Sequence, residues 1–247
     1  MTQLSALKQQ IQIKPTDNRD QLVDQGALNQ ICAVLREGMK EEDEYSGVVL
    51  FGCEIASLLL KDNKRVIQAA LEDNGLVDSL VTFLHSILQD KIMPDHIQIL
   101  YHLLICASKD QKKLLYDKQV MRTIFLSLNT TNEQKLEIFI NKINQIILNE
   151  GEKLKEGQQY PYKAQLEVDG TFSRLTQLLL GTDITNSSIK YNAAITIGTI
   201  FKATILPKEI NSIVIKQIKQ DLEKKNDQKN QRDLIALKCI AECKCVL

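Results

Sequence analysis

Three cysteines near the carboxyl end are the residues of this sequence best suited to do chemistry. Cys239 and Cys243 are four positions apart and share one face of a helix, whereas Cys245 points elsewhere. Thiolates bind zinc or become oxidised, but a tetrahedral zinc site needs a fourth ligand, here from a distant part of the chain. We interpret these cysteines as small apolar core residues, with metal or thiol chemistry as the alternative.

A second pair, His102 and Cys106, is also one helical turn apart. Two ligands do not complete a zinc site, so we interpret the pair as a packed histidine and a buried thiol. The sequence contains no phosphate-binding glycine loop, no H-E-x-x-H and no G-x-S-x-G. We therefore predict a protein that is not an enzyme and that uses no cofactor and no metal.

Charge and composition narrow the classes of partner. The 247 residues balance 31 Lys and Arg against 31 Asp and Glu, so no net positive field attracts nucleic acid or an anionic membrane. The amino terminus lacks the pattern of a signal peptide, and no stretch approaches about 18 consecutive apolar residues. Six cysteines without such a signal are typical of a reducing compartment. These observations predict a cytoplasmic protein, with the nucleus as the alternative, and a protein or extended peptide as partner.

Helices must position these residues, because 10 Gly and 4 Pro are too few for many short strands and tight turns. A pattern of short helix, turn and second helix recurs around Gly26, Gly75 and Gly170, and around Gln119 where glycine is replaced. These turn positions are 44 to 51 residues apart. That spacing slightly exceeds the roughly 40–47 residues of HEAT and armadillo repeats, so loops must carry the surplus.

A long apolar segment follows each turn pattern and predicts a third helix in each repeat. These helices are predicted at 45–60, 95–107, 132–148 and 188–203, with a fifth repeat from 207 onward that ends in a helix at 231–245. The surplus length is expected in a loop at 150–163 and in two charged runs at 41–44 and 223–230, which we interpret as solvated edges.

The segments VIQAALEDNGLVDSLVTFL (66–84) and IKYNAAITIGTIF (189–201) resemble armadillo repeats, and the resemblance covers most of residues 18–245. It implies an all-α fold, an armadillo- or HEAT-like right-handed α-solenoid of about five repeats. The third helices of that family line a concave groove that binds extended peptides or partner proteins. We therefore predict one domain over 1–247, with an N-terminal helix at 1–13. Its repeats are predicted at about 18–61, 62–108, 109–149, 160–203 and 207–245.

Importin-alpha-type armadillo proteins hold basic peptides with Trp and Asn four residues apart on each third helix. The corresponding pairs here are Cys53 and Ser57, Tyr101 and Ile105, Asn141 and Gln145, Ile195 and Thr199, and Lys238 and Glu242. No pair keeps the Trp and Asn combination, and the chain contains no Trp. From the sequence we therefore predict that the protein does not bind nuclear-import cargo.

The predicted groove residues are Tyr101, Asn141, Gln145, Asn192 and Thr199. Asn141, Gln145 and Asn192 are expected to bond the backbone of an extended peptide, while Tyr101 packs against an apolar side chain. The alternative makes Asn141 and Gln145 ordinary solvated residues.

Tyr160 and Tyr162 flank a proline in the loop at 150–163 and offer a second contact site, because aromatic side chains lead interface hot spots. In the alternative interpretation, the loop packs its own tyrosines against the solenoid.

Together these features predict a non-catalytic scaffold for protein–protein interaction. One alternative is an adaptor or regulatory factor for an enzyme or chaperone, since some armadillo proteins resemble nucleotide-exchange factors. The segment from Cys243 to Leu247 has no polar outer face, although a terminal repeat normally needs one. We expect this end to be covered by self-association, by a partner or by a further repeat.

Overall fold

The computed structural model describes residues 5, 6, 8, 9, 11, 17–39, 46–223 and 227–243. Within these residues the chain forms helices and no strand, as the sequence predicted. The charged run at 41–44, residues 224–226 of the second charged run, Cys245 and most of the predicted N-terminal helix lie outside the described residues. The α-helices are α1 Asp17–Asp24, α2 Ala27–Gly38, α3 Ser46–Leu60, α4 Lys64–Ala70, α5 Leu76–Ser86, α6 Pro94–Cys106, α7 Lys109–Asp117, α8 Val120–Leu126, α9 Glu133–Lys153, α10 Lys163–Val168, α11 Thr171–Leu180, α12 Ser187–Ile200, α13 Lys208–Leu222 and α14 Asp227–Ala241.

The chain forms two compact bodies, unit 1 (Met1–Thr130) and unit 2 (Thr131–Leu247). Unit 1 contains α1 to α8, and unit 2 contains α9 to α14. The long helices α3, α6, α9 and α12 correspond to the predicted third helices.

Successive repeats within unit 1 are joined by side-chain bonds that span one repeat length. The Lys118 ammonium donates to Asp78 at 2.8 Å across 40 residues, and Asn63 donates to Asp20 at 2.8 Å across 43 residues. Beneath these bonds α3 packs on α6 and α2 packs on α5. The stacking buries apolar residues such as Leu35 and Leu80 completely. This arrangement is typical of repeat units that bury their apolar faces only against their neighbours.

Unit 2 is built around α12, whose residues 191–200 are all buried. Four helices, α9, α11, α13 and α14, pack against it and leave none of this stretch facing solvent. The Asn144 amide on α9 donates to the Asn192 side chain on α12 at 2.7 Å, across 48 residues. A buried amide pair of this kind fixes the register of two helices, because a shift would leave polar groups unpaired.

The predicted turn positions are confirmed with one adjustment. Gly26 and Gly170 have φ of +84°, and Gln119 has φ of +60°, all in the left-handed region. In the second repeat Asn74, with φ of +58°, takes this conformation instead of Gly75. Asn tolerates left-handed φ better than most residues with a Cβ, which explains the shift by one position.

Some predicted boundaries were wrong. Helix α9 continues to Lys153, so the loop predicted at 150–163 is limited to 154–162. Helix α12 ends at Ile200, and the chain reverses at Ala203, which has φ of +53°. The final helix occupies Asp227–Ala241 rather than 231–245. The described part of the fifth repeat therefore has two α-helices, although the apolar pattern implied three.

Replacing Gly170 with alanine is expected to lower the free energy of unfolding by about 1 kcal/mol, because a Cβ strains a left-handed residue. No heavy atom lies within 4 Å of the added Cβ, so the backbone alone sets the cost. Urea unfolding followed by circular dichroism measures the change.

The control for this experiment is Gly47→Ala in α3, where the added Cβ also meets nothing within 4 Å and φ is ordinary. Alanine there is expected to stabilise the protein by about 0.5–1 kcal/mol. Equal effects of the two variants would contradict the left-handed assignment of Gly170.

Candidate functional site

In unit 1 the exposed surface of a third helix is formed by polar and aromatic side chains of α6. Tyr101 is half-buried, and its ring meets His102 edge-on at a centroid distance of 5.6 Å. The Gln98 amide lies 2.8 Å from His102 Nε2, one turn earlier on the same helix. His102 is thus bonded to Gln98, and Cys106 stands half-buried on the next turn.

In unit 2 the half-exposed side chains of α9 meet those of the last helix. Gln145 donates to the Asn141 side-chain oxygen at 3.3 Å, and Arg232 of α14 donates to the same oxygen at 3.3 Å. Asn141, Gln145 and Arg232 are all half-buried, so their remaining polar groups reach solvent. We call the surface where α9 and α14 meet the α9–α14 seam and define it by Ile138, Asn141, Gln145, Arg232, Ile235 and Lys238. Sequence analysis missed Arg232, because it is 91 residues from Asn141.

Two of the predicted groove residues lie in the core of unit 2 rather than on a surface. Asn192 is 4% exposed and bonded to Asn144 and to the Ser188 carbonyl. Thr199 is fully buried, and its hydroxyl donates to the Ile195 carbonyl at 2.9 Å. The physical reason is the packing of α13 and α14 on α12, which helps to enclose residues 191–200. Neither residue is available to a ligand in this conformation.

The tyrosines of the loop at 154–162 differ in their surroundings. Tyr160 is 2% exposed, and its hydroxyl donates to the buried Glu150 carboxylate at 3.0 Å. Tyr162 is half-buried, with its ring 6.3 Å from that of Tyr160. Tyr160 therefore packs against the helices of its own unit, as the alternative interpretation held, and only Tyr162 retains an accessible ring surface.

A buried ion pair anchors the end of α14. The Lys202 ammonium bonds the Glu242 carboxylate, and both side chains are almost fully buried, at 3% and 6% exposure. The Gly157 amide donates to the same carboxylate at 3.0 Å, which ties the loop at 154–162 to α14. Burial by itself raises the pKa of Glu242, but the bonds from Lys202 and Gly157 outweigh it and leave this pKa below its ordinary value. The sequence did not predict this pair, and the signal that could have located it is the separation of 40 residues, which is close to one repeat length.

Cys239 and Cys243 are buried and free of disulfides. Burial raises the pKa of the Cys239 thiol to about 11, so the thiol is protonated at neutral pH. Among the described residues, no three His, Cys, Asp or Glu side chains lie close enough together to hold a metal ion. The described geometry gives these cysteines a packing role.

Comparison with known proteins gives the fold. No family model matches the sequence, and no curated protein matches it either. Several solved structures do match. A designed armadillo repeat protein in complex with the peptide (KR)4 aligns with a TM-score of 0.64 at 16% identity, over 96% of this chain and 92% of that chain. The chain has the armadillo repeat fold.

Two other solved structures agree with this armadillo fold. Computationally designed armadillo repeat proteins for modular peptide recognition align at a TM-score of 0.63, with 16% identity over 95% of this chain and 92% of that chain. An engineered protein from a structural genomics consortium aligns at 0.69, with 16% identity over 98% and 92%. The predicted all-α armadillo-like solenoid is therefore confirmed. No described helix combines the length and the apolarity that crossing a membrane requires.

Proposed function

We propose that this armadillo protein is a non-catalytic scaffold that binds an extended peptide or an unfolded segment of a partner protein on the α9–α14 seam. The observation that carries the proposal is the bonded row of Gln145, Asn141 and Arg232. Each of these side chains is held by a neighbour and still has polar groups that reach solvent. Such pre-ordered side chains lose little rotamer entropy when a ligand binds.

An extended peptide suits this row because its backbone exposes one donor and one acceptor per residue. The amide groups of Asn141 and Gln145 offer both donors and acceptors, so they can bond a peptide backbone irrespective of its sequence. The fold supports the same proposal. One solved armadillo neighbour contains the peptide (KR)4, and others were designed for modular peptide recognition.

The α6 surface of unit 1, with Gln98, Tyr101 and His102, is a second candidate contact surface. Its amide–imidazole bond resembles the Gln145–Asn141 bond in holding two polar side chains one turn apart. Tyr101 adds an aromatic ring, which favours contact with an apolar side chain.

Replacing Asn141 and Gln145 together with alanine is expected to weaken peptide binding at least about fivefold. Two lost hydrogen bonds cost about 1–3 kcal/mol, which corresponds to roughly a five- to hundredfold change in affinity. Peptides are first selected from a random display library on the unaltered protein. Their affinities are then measured on both proteins by fluorescence anisotropy.

The control is Lys216→Ala with Gln220→Ala, two exposed residues on the outer face of α13. Circular dichroism confirms that both double variants remain folded. If the selected peptides bind the Asn141/Gln145 variant as tightly as the unaltered protein, the seam is not the binding surface.

A further inference from the structure

We infer that the α9–α14 seam selects a proline-rich segment in the polyproline II conformation. This inference rests on the proposed function and specifies the ligand of the same surface. It depends on three features of the seam: free hydrogen-bond donors outnumber free acceptors, charges of both signs lie beside the bonded row, and apolar side chains accompany it.

The contact with Arg232 fixes which way the Asn141 amide points. A guanidinium can only donate, so the Asn141 atom that lies 3.3 Å from it is the oxygen. Gln145 donates to this same oxygen at 3.3 Å. An amide oxygen has two lone pairs, and here the protein itself engages both. The Asn141 side chain therefore offers a ligand its NH2 donors but no acceptor.

Donors dominate the polar groups that this row still presents. Asn141 keeps both of its N–H groups, Gln145 keeps one, and Arg232 keeps the rest of its guanidinium N–H groups. The free side-chain acceptor among these three residues is the Gln145 amide oxygen. A ligand backbone that turned its own N–H groups toward the row would leave donors facing donors, and an unpaired donor costs free energy. A ligand that presents carbonyl oxygens alone avoids this cost.

Proline is the residue whose backbone meets this requirement, because it has a carbonyl group but no N–H. In a polyproline II helix the carbonyl groups form no internal hydrogen bonds and stay available to donors. The helix is also formed before binding, so less conformational entropy is lost than for a flexible peptide. Three residues complete one turn, so every face of an oligoproline helix shows both carbonyl groups and prolyl rings.

Charges of both signs beside the row favour an uncharged ligand. On α9, Glu137 lies one turn before Asn141 and Lys142 directly follows it, and on α14 Lys238 is exposed. The Glu137 carboxylate accepts a hydrogen bond from the neutral Asn186 amide and so retains its negative charge. A strongly acidic or strongly basic peptide would meet a like charge at one of these positions. An oligoproline segment carries no side-chain charge and avoids that repulsion.

Apolar side chains beside the row suit prolyl rings. Ile138 is 42% exposed and lies one turn before Asn141 on α9. Ile235 is half-buried and lies one turn after Arg232 on α14. Prolyl rings that cover these side chains remove apolar surface from water while the carbonyl groups bond the row. The seam thus offers both kinds of contact that an oligoproline ligand makes.

The test compares three fluorescein-labelled peptides by anisotropy on the full chain. One peptide is a run of ten prolines, one has five Ser-Ala repeats and the third is (KR)4. The proline peptide is expected to bind at least about fivefold more tightly than either of the others, because it alone combines the absence of charge with the absence of backbone N–H groups. Its affinity should change less than about twofold between low and high salt, since its residues carry no charge for salt to screen.

Asn141→Asp tests the donors directly. The variant keeps an oxygen for Arg232 and Gln145 but replaces the NH2 group with a second carboxylate oxygen. The proline peptide should therefore bind it at least about fivefold more weakly than the unaltered protein. The matched control is Asn211→Asp, which makes the same change on the exposed face of α13 and should leave the affinity within about twofold. Circular dichroism checks that both variants remain folded.

Equal binding of the proline and Ser-Ala peptides, or tighter binding of (KR)4, would overturn the selectivity for proline. Unchanged binding of the proline peptide to Asn141→Asp would overturn the role of the donors. An equal loss in Asn211→Asp would show a general effect of added charge and overturn the assignment to Asn141. These results would leave the proposed function intact if library peptides still require Asn141 and Gln145, so the two failures are distinguishable.

Discussion

Replacing Lys202 with methionine is expected to destabilise unit 2 by about 3–5 kcal/mol, the cost of removing one partner of a buried ion pair. Lys202 and Glu242 are 3% and 6% exposed, so solvent cannot take over the role of the lost ammonium. Methionine keeps most of the side-chain volume, and packing therefore changes little. The loss comes from the Glu242 carboxylate, which keeps the Gly157 amide as a donor but loses its counter-charge.

The pH dependence distinguishes this mechanism from a packing defect. In the unaltered protein the pKa of Glu242 is below its ordinary value of 4.5, so its contribution to stability is present above that value and is lost as the pH falls through the lowered pKa. In the Lys202→Met variant, protonation removes the negative charge of the unpaired Glu242 carboxylate and so restores part of the lost stability. The difference in unfolding free energy between the two proteins should therefore shrink as the pH is lowered from about 7 to about 4.

Two further variants serve as controls. Urea unfolding measures the stability of the unaltered protein and of every variant. Lys202→Met combined with Glu242→Gln removes both charges and should recover at least half of the lost stability. Glu167→Gln breaks the more exposed pair with Lys163, whose side chains are 21% and 38% exposed, and should cost no more than about 0.5 kcal/mol. A loss in Lys202→Met that is independent of pH would refute a role for the Glu242 charge.

Local sequence patterns predicted the helices well because helix formation depends on interactions between residues that are close together in the sequence. Apolar residues at helical spacing located the third helices of the first four repeats, and turns occur at Gly26, Gln119 and Gly170 as predicted. Such features depend on residues within about one turn of each other, so they can be read from one segment. The repeat period extended this to the fold, because repeats of this length are expected to stack mainly on their neighbours.

The burial of single groove residues was beyond the reach of the same patterns. Asn192 and Thr199 match the groove positions of the armadillo family, but α13 and α14 enclose the helix that carries them. Arg232 was missed because its contact with Asn141 joins segments 91 residues apart. The repeat period predicts which repeats are neighbours. It does not specify how the last helix, α14, packs against both α9 and α12.

The close approach of α9 and α12 provides the second large prediction. A Cβ added to Gly151 would overlap the Thr199 methyl group and would lie 3.8 Å from Cys239 Sγ. Gly151→Ala is therefore expected to destabilise unit 2 by about 2–3 kcal/mol, as overpacking of a tight core does. This loss occurs although alanine favours the helix by about 1 kcal/mol over glycine.

The rescue variant Thr199→Ser removes only the overlapping methyl group and keeps the hydroxyl that donates to the Ile195 carbonyl. Alone it should cost about 1 kcal/mol for one lost buried methyl group. Combined with Gly151→Ala it should recover at least half of the loss, because the new Cβ occupies the vacated space. Such coupling is measured by a double-mutant cycle of urea unfolding free energies.

Gly198→Ala is the matched control, since Gly198 is also a buried helical glycine. The Cβ added to Gly198 would lie 3.1 Å from Cδ1 at the flexible end of Ile240, which can move aside. Gly198→Ala should therefore lower the free energy of unfolding by no more than about 1 kcal/mol. Additive effects of Gly151→Ala and Thr199→Ser would show that the methyl contact does not set the helix separation. A strong coupling would instead show that Gly151 fixes how closely α9 approaches α12. The position of Asn141 relative to Arg232 of α14, which also packs on α12, would then depend on this contact.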